Sequence, residues 1–101
     1  MPSKLWIDGH TFNNEHEYRR YCGLRELMKE GRIDKLQVSP EFALEVNGTL
    51  VAHYVPTFVF LDCSKQAYRM IQVKGAHNAT LDLKVRLFEA LFPDWTVEWW
   101  G

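Results

Sequence analysis

The sequence predicts one mixed α/β domain, a small sheet flanked by two helices in the order α-β-β-β-α-β. Three observations predict it. Two segments carry apolar residues at helical spacing between recognisable start and stop signals. The stretch between them alternates apolar and polar residues. Asn47-Gly48 divides that stretch as a two-residue hairpin turn does. At 101 residues the chain has enough apolar surface for one core and not for two, so residues 1–101 are read as a single domain.

The elements follow in order. Leu5-Trp6-Ile7 before Asp8-Gly9 reads as a short strand and a turn. A helix is expected from about Glu15 to Glu30, with Asn14 as N-cap, Glu17 at the third helical position and Gly31 as the stop. Glu17, Tyr21, Leu24 and Met28 fall on one face of it. Ile33 to Leu36 leads to an alternating strand, Glu41 to Val46. The strand returning from Asn47-Gly48 is expected to run from Thr49 to Leu61, with Pro56 at a bulge or edge position. A turn at 62–65 precedes a third strand, Gln66 to Lys74, ended by Gly75. Asn78 or Thr80 is expected to cap a second helix from Leu81 to Phe92, stopped at Pro93. Residues 95–100 alternate and read as a last strand.

Composition excludes several classes. Net charge is −1, so any nucleic-acid contact must come from a local patch. No apolar run reaches membrane-spanning length, and the start of the chain leads into no signal region, so a cytoplasmic protein is expected. Cys22 and Cys63 have neither metal-site nor redox spacing and read as two reduced thiols. His10, His16, His53 and His77 lack ligand spacing; only His53 shares a strand face with Thr57.

Gln72 and Lys74 stand two apart on a strand and so share a face. They belong to a longer pattern. Residues 12–21 carry Phe12, Asn14, Glu17, Arg20 and Tyr21, and Gly31-Arg32-Ile33 follows. Then come Leu36, Pro40 and Phe42, the segment Tyr54-Val55-Pro56-Thr57-Phe58-Val59-Phe60, the run Gln72-Val73-Lys74-Gly75, and Leu83 to Phe88 before Phe92-Pro93. In order and spacing this resembles the small phage-encoded PD-(D/E)XK nucleases, whose fold is of the restriction-endonuclease type.

The resemblance implies a metal-dependent endonuclease acting on DNA, with Mg²⁺ or Mn²⁺ as cofactor, a cytoplasmic setting in the host, and a homodimer where both strands are cut. It makes Glu17 the helix carboxylate that binds or orients a metal-bound water. Gln72 takes the second acidic position, as in the endonuclease subunit of a bacterial cut-and-paste transposase. Val73 would offer a backbone carbonyl to the metal, and Lys74 would stabilise phosphorane charge. Arg19, Arg20 and Lys84 would touch phosphates. Thr57 is the departure: it stands where those nucleases hold the central metal-binding Asp. With Gln72 neutral as well, Glu17 is the only carboxylate of the matched set, and Mg²⁺ normally keeps at least one or two.

Plain structural roles stand beside these. Glu17 can be the capping-box acid of Asn14, Gln72 and Lys74 can be a solvated strand face, and the tryptophans can pack a core. Three functions therefore stay open from the sequence: an active endonuclease, a degenerate relative that binds DNA or a protein without cutting, and a dimer built on the Trp99-Trp100 tail.

Overall fold

The computed structural model describes residues 5–12, 14–73 and 79–101. Within them the chain is mixed α/β, with two helices and several strands. Strand β1 (Leu5–Ile7) turns at Asp8-Gly9 into β2 (His10–Phe12). Both turn residues have positive φ, 55° and 81°, which matches the twist of the flanking strands.

Helix α1 (Glu15–Lys29) begins at Asn14, whose side-chain oxygen accepts the Glu17 N–H at 2.9 Å. It ends at Gly31, φ 77°, where the Gly31 N–H reaches the Met28 carbonyl and the Arg32 N–H the Leu27 carbonyl. That double closure needs a left-handed residue, which glycine supplies without strain.

The chain continues through β3 (Ile33–Val38), β4 (Phe42–Val46), β5 (Thr49–Tyr54), β6 (Phe58–Asp62), β7 (Ala67–Val73), α2 (Ala79–Leu91) and β8 (Val97–Trp100). Strands β3, β6, β7 and β8 form one sheet in that order. Its first two pairings are antiparallel and β7–β8 is parallel, so α2 is the crossover that a parallel pair requires. Strands β4 and β5 form a separate hairpin with positive φ at both Asn47 and Gly48. The mixed α/β class with two helices holds, but five strands and not three lie between the helices: β3, β6 and β7 join the main sheet, and β4 and β5 are an inserted hairpin.

Two strand assignments need correction. Residues 41–46 are not the first strand of the main sheet; that strand is β3. Its alternation is hidden by a register shift between Asp34 and Gln37, where Lys35 has φ 53°. One extra residue throws off a period of two. Residues 49–61 are not one strand either. The chain breaks at Val55-Pro56-Thr57 and passes from the hairpin into the main sheet. Pro56 is buried and has no N–H to give a ladder, so the segment cannot stay paired through it. Helix α2 begins two residues earlier than expected, and its expected cap Asn78 lies outside the described residues, as does Lys74.

The sheet separates two apolar clusters. On the α1 side lie Phe12, Tyr21, Leu24, Ile33, Phe58, Phe60, Ile71 and Val73, with Trp100 packed against them. On the α2 side lie Leu44, Tyr54, Val59, Met70, Val85, Phe88 and Val97. Strand alternation does the sorting: Phe58 and Phe60 face one way and Val59 the other. Full burial of each large side chain contributes about 1.5–3 kcal/mol. Met28, expected on the apolar stripe of α1, is exposed, and the stripe is continued past Leu24 by the partly buried Leu27.

Candidate active site

Alternation that places Ile71 and Val73 on the α1 side turns Gln72 to the α2 side, where Met70 and Tyr54 lie. Thr57 meets it there. The Thr57 backbone is pinned between two strands: its N–H reaches the Ile71 carbonyl and its own carbonyl accepts from Ser39, each at 3.0 Å. Its hydroxyl oxygen accepts the Val73 N–H at 3.0 Å and a Gln72 Nε2–H at 3.3 Å. The second Nε2–H of Gln72 reaches the Val73 carbonyl at 3.3 Å, and Gln72 Oε1 accepts from the Tyr54 hydroxyl at 2.8 Å. Tyr54, Thr57 and Gln72 are all buried, and every one of these polar atoms has a partner. Burial, and after it the charge of Glu89, pushes the Tyr54 phenol well above its ordinary value, so it stays a protonated donor.

The network brings together Thr57, Gln72 and Val73 of the residues singled out from the sequence. Glu17 sits in the first turn of α1, as the third residue of the cap, and its carboxylate takes the Asn14 Nδ2–H at 3.4 Å. That donor is the Asn14 side chain and not the backbone N–H that a capping box uses. Lys74 lies outside the described residues.

The three cations expected to touch phosphate differ. Arg19 is paired with Glu15 one turn back. Arg20 donates to the Gly101 carbonyl at 2.8 and 3.3 Å and lies over the Trp100 ring, 5.2 Å from its centre. Lys84, partly exposed on α2, makes no hydrogen bond or ion pair to a described residue. Trp99 pairs in register with Gln72 across β7–β8 and is partly exposed.

Over residues 2–101 the chain matches the profile of a family described as "Protein of unknown function (DUF1064)". The chain belongs to the DUF1064 family. No curated protein and no solved structure matches it. For this DUF1064 protein the fit of a divalent cation is decided by the oxygens on offer. Mg²⁺ takes oxygen ligands and normally at least one carboxylate. Here both acceptor positions of the Thr57 hydroxyl are filled by N–H donors. Gln72 aims its nitrogen, not its oxygen, at Thr57 and Val73. The Val73 carbonyl already accepts one of those hydrogens. As bonded here, Thr57 and Gln72 do not fit as ligands of a metal ion. Among the described residues no three of His, Cys, Asp and Glu group together as ligands.

Tyr54 was not singled out from the sequence. Its signal was its position in Tyr54-Val55-Pro56-Thr57, which reads as an ordinary strand until the break at Pro56 puts its hydroxyl beside Gln72. A second polar cluster was also missed, on the α1 side. Arg69 grips Glu98 with two hydrogen bonds of 2.8 and 2.6 Å, reaches Asp62 at 3.3 Å, and lies over Phe60. It ties β7 to β8 and β6. Asp62 also accepts from Ser64 and Lys65, which closes the β6–β7 turn. Among the described residues no helix is long and apolar enough to cross a membrane.

Proposed function

We propose that this chain is a nuclease-fold protein of the small phage-encoded PD-(D/E)XK type that binds DNA without hydrolysing it. The observation that carries the reading is the pair Thr57–Gln72. The two residues stand side by side, Thr57 just before β6 and Gln72 near the end of β7, at the positions that the resemblance gives to the two acidic metal ligands, and they are hydrogen-bonded to each other instead. The order α1, β3, β6, β7, α2, β8 agrees with the architecture this reading requires. A centre with neutral, fully engaged side chains supports binding over cutting. The homodimer expected from two-strand cleavage loses its reason in a protein that does not cut.

Lys84 and Trp99 support nucleic acid as the ligand. Lys84 is a cation with no partner among the described residues, and Trp99 is an aromatic surface beside the centre. Phosphate contact and base stacking are the two sequence-tolerant ways of holding DNA. Trp100, by contrast, is taken up by Phe60 and Arg20 of its own chain. That weakens the case for a Trp99-Trp100 dimer.

The test uses fluorescently labelled branched, nicked and linear DNA. Anisotropy in EDTA at two salt concentrations reports binding, and gels after incubation with Mg²⁺ or Mn²⁺ report cleavage. The expected result is salt-sensitive binding in EDTA and intact DNA with either metal. Metal-dependent cleavage, abolished by Lys74→Ala, would restore the endonuclease with Glu17 and Lys74 in its centre. Absence of binding to all three DNAs would leave a protein partner as the ligand.

A further inference from the structure

We infer that the Val73 carbonyl and the Tyr54 hydroxyl together hold the Gln72 amide with its nitrogen toward Thr57, so that the centre turns hydrogen-bond donors, and not the Gln72 oxygen, toward a cation. The inference deepens the reading above and rests on it for its functional meaning, since it says why the centre does not cut.

The amide orientation follows from chemistry. An amide's oxygen and nitrogen are nearly the same size, so its direction is read from its partners. The Val73 carbonyl can only accept. The Gln72 atom 3.3 Å from it must therefore be Nε2. That leaves Oε1 facing Tyr54, whose hydroxyl must donate across the 2.8 Å contact because a carbonyl oxygen cannot. The Tyr54 ring is itself held against Phe88 of α2, with ring centres 5.5 Å apart. Tyr54 ends the hairpin strand β5, and Gln72 belongs to the main sheet. The contact therefore joins the inserted hairpin to the centre and takes up the amide oxygen that the Val73 carbonyl turns away from Thr57.

One consequence separates this inference from simple loss of charge. Restoring a carboxylate with Thr57→Asp places it in front of two N–H donors, the Val73 amide and Gln72 Nε2. It will accept from them as the Thr57 hydroxyl does, in charge-assisted form. A cation gains nothing while Gln72 still aims nitrogen at the site. Adding Gln72→Glu replaces that donor with an acceptor and sets two carboxylates beside the Val73 carbonyl. This arrangement repels itself until a cation sits among the oxygens.

The experiment measures thermal melting with and without millimolar Mg²⁺ or Mn²⁺. It compares the parent, Thr57→Asp, and the Thr57→Asp/Gln72→Glu pair. Parent and single variant are expected to show no metal-dependent shift. The double variant is expected to melt earlier without metal and to rise by several degrees with it, by mass action on the folded state. Side-chain amide NMR of Gln72 in Tyr54→Phe gives the second measurement. Its two Nε2 proton signals are expected to move and exchange faster once Oε1 loses its donor. A metal-dependent shift in Thr57→Asp alone would overturn the inference. So would Gln72 signals that Tyr54→Phe leaves unchanged. Neither measurement depends on DNA, so a protein that binds no DNA but passes both keeps the orientation and loses only the nuclease-type reading.

Discussion

The Gln72 side-chain nitrogen lies 3.3 Å from the Thr57 hydroxyl oxygen, and its oxygen lies 2.8 Å from the Tyr54 hydroxyl, facing away. One buried amide thus bridges two sheets, and its direction decides what the centre can hold.

Tyr54→Phe keeps the ring against Phe88 and removes only the donor. Gln72 Oε1 is then buried without a partner, which costs about 1–3 kcal/mol. Urea unfolding is expected to show a lower midpoint with an unchanged slope, as for a variant with the same fold and less stability.

Acid stability is expected to depend on Glu98 and Asp62. The Arg69 guanidinium holds the Glu98 carboxyl below its ordinary value. Asp62 is lowered by the Ser64 hydroxyl first and by Lys65, Ser64 and Arg69 bonds after it. A carboxylate depressed by folding adds stability above its unfolded value, and that stability is lost as pH falls through the folded value. Stability should therefore decline below about pH 4.5, from the reference carboxylate range. Glu98→Gln should flatten that decline in unfolding curves taken across the acid range.

At the alkaline end the sign reverses. Burial, and then the Asp8 hydrogen bond, pushes the Tyr21 phenol up to about 12. A raised value on an acid that must lose its proton means stability is complete below the unfolded value near 10 and falls as pH climbs through the folded one. Ultraviolet titration should show a late phenolate step near 12, and Tyr21→Phe should remove it.

Lys84→Ala is expected to weaken DNA binding on all sequences alike and to leave stability nearly unchanged, because phosphate contacts carry no base information. Arg20→Ala is expected to do the opposite, since it removes the stack on Trp100 and the bonds to Gly101. Anisotropy and melting measured on the same samples distinguish the two.

The helices were legible because their signals are local: Asn14 and Gly31 bracket α1, and Pro93 follows α2. Asn47-Gly48 announced its hairpin for the same reason. The first strand of the sheet was hidden by the shift at Lys35, and the long returning strand was over-read because a buried proline looks like any proline in sequence. Of the centre, Thr57, Gln72 and Val73 were brought together only by the family resemblance; spacing alone paired Gln72 with Lys74. Tyr54 was found by neither, because its role depends on a chain crossing that exists only in three dimensions. The Arg69–Glu98 pair spans 29 residues and two non-consecutive elements, and no period marks it.

The hold of Arg20 on Gly101 links positions 81 residues apart. Such a contact forms only after β8 has docked beside β7, and that pairing must wait for the whole α2 crossover. Loop closure of this length is slow to find and belongs late in assembly. Weakening this tie is then expected to leave the folding rate almost unchanged and to accelerate unfolding. Arg20 is thus placed as a latch on the finished molecule: its loss is expected to shorten the life of the folded state slightly and to leave the time taken to reach it unchanged.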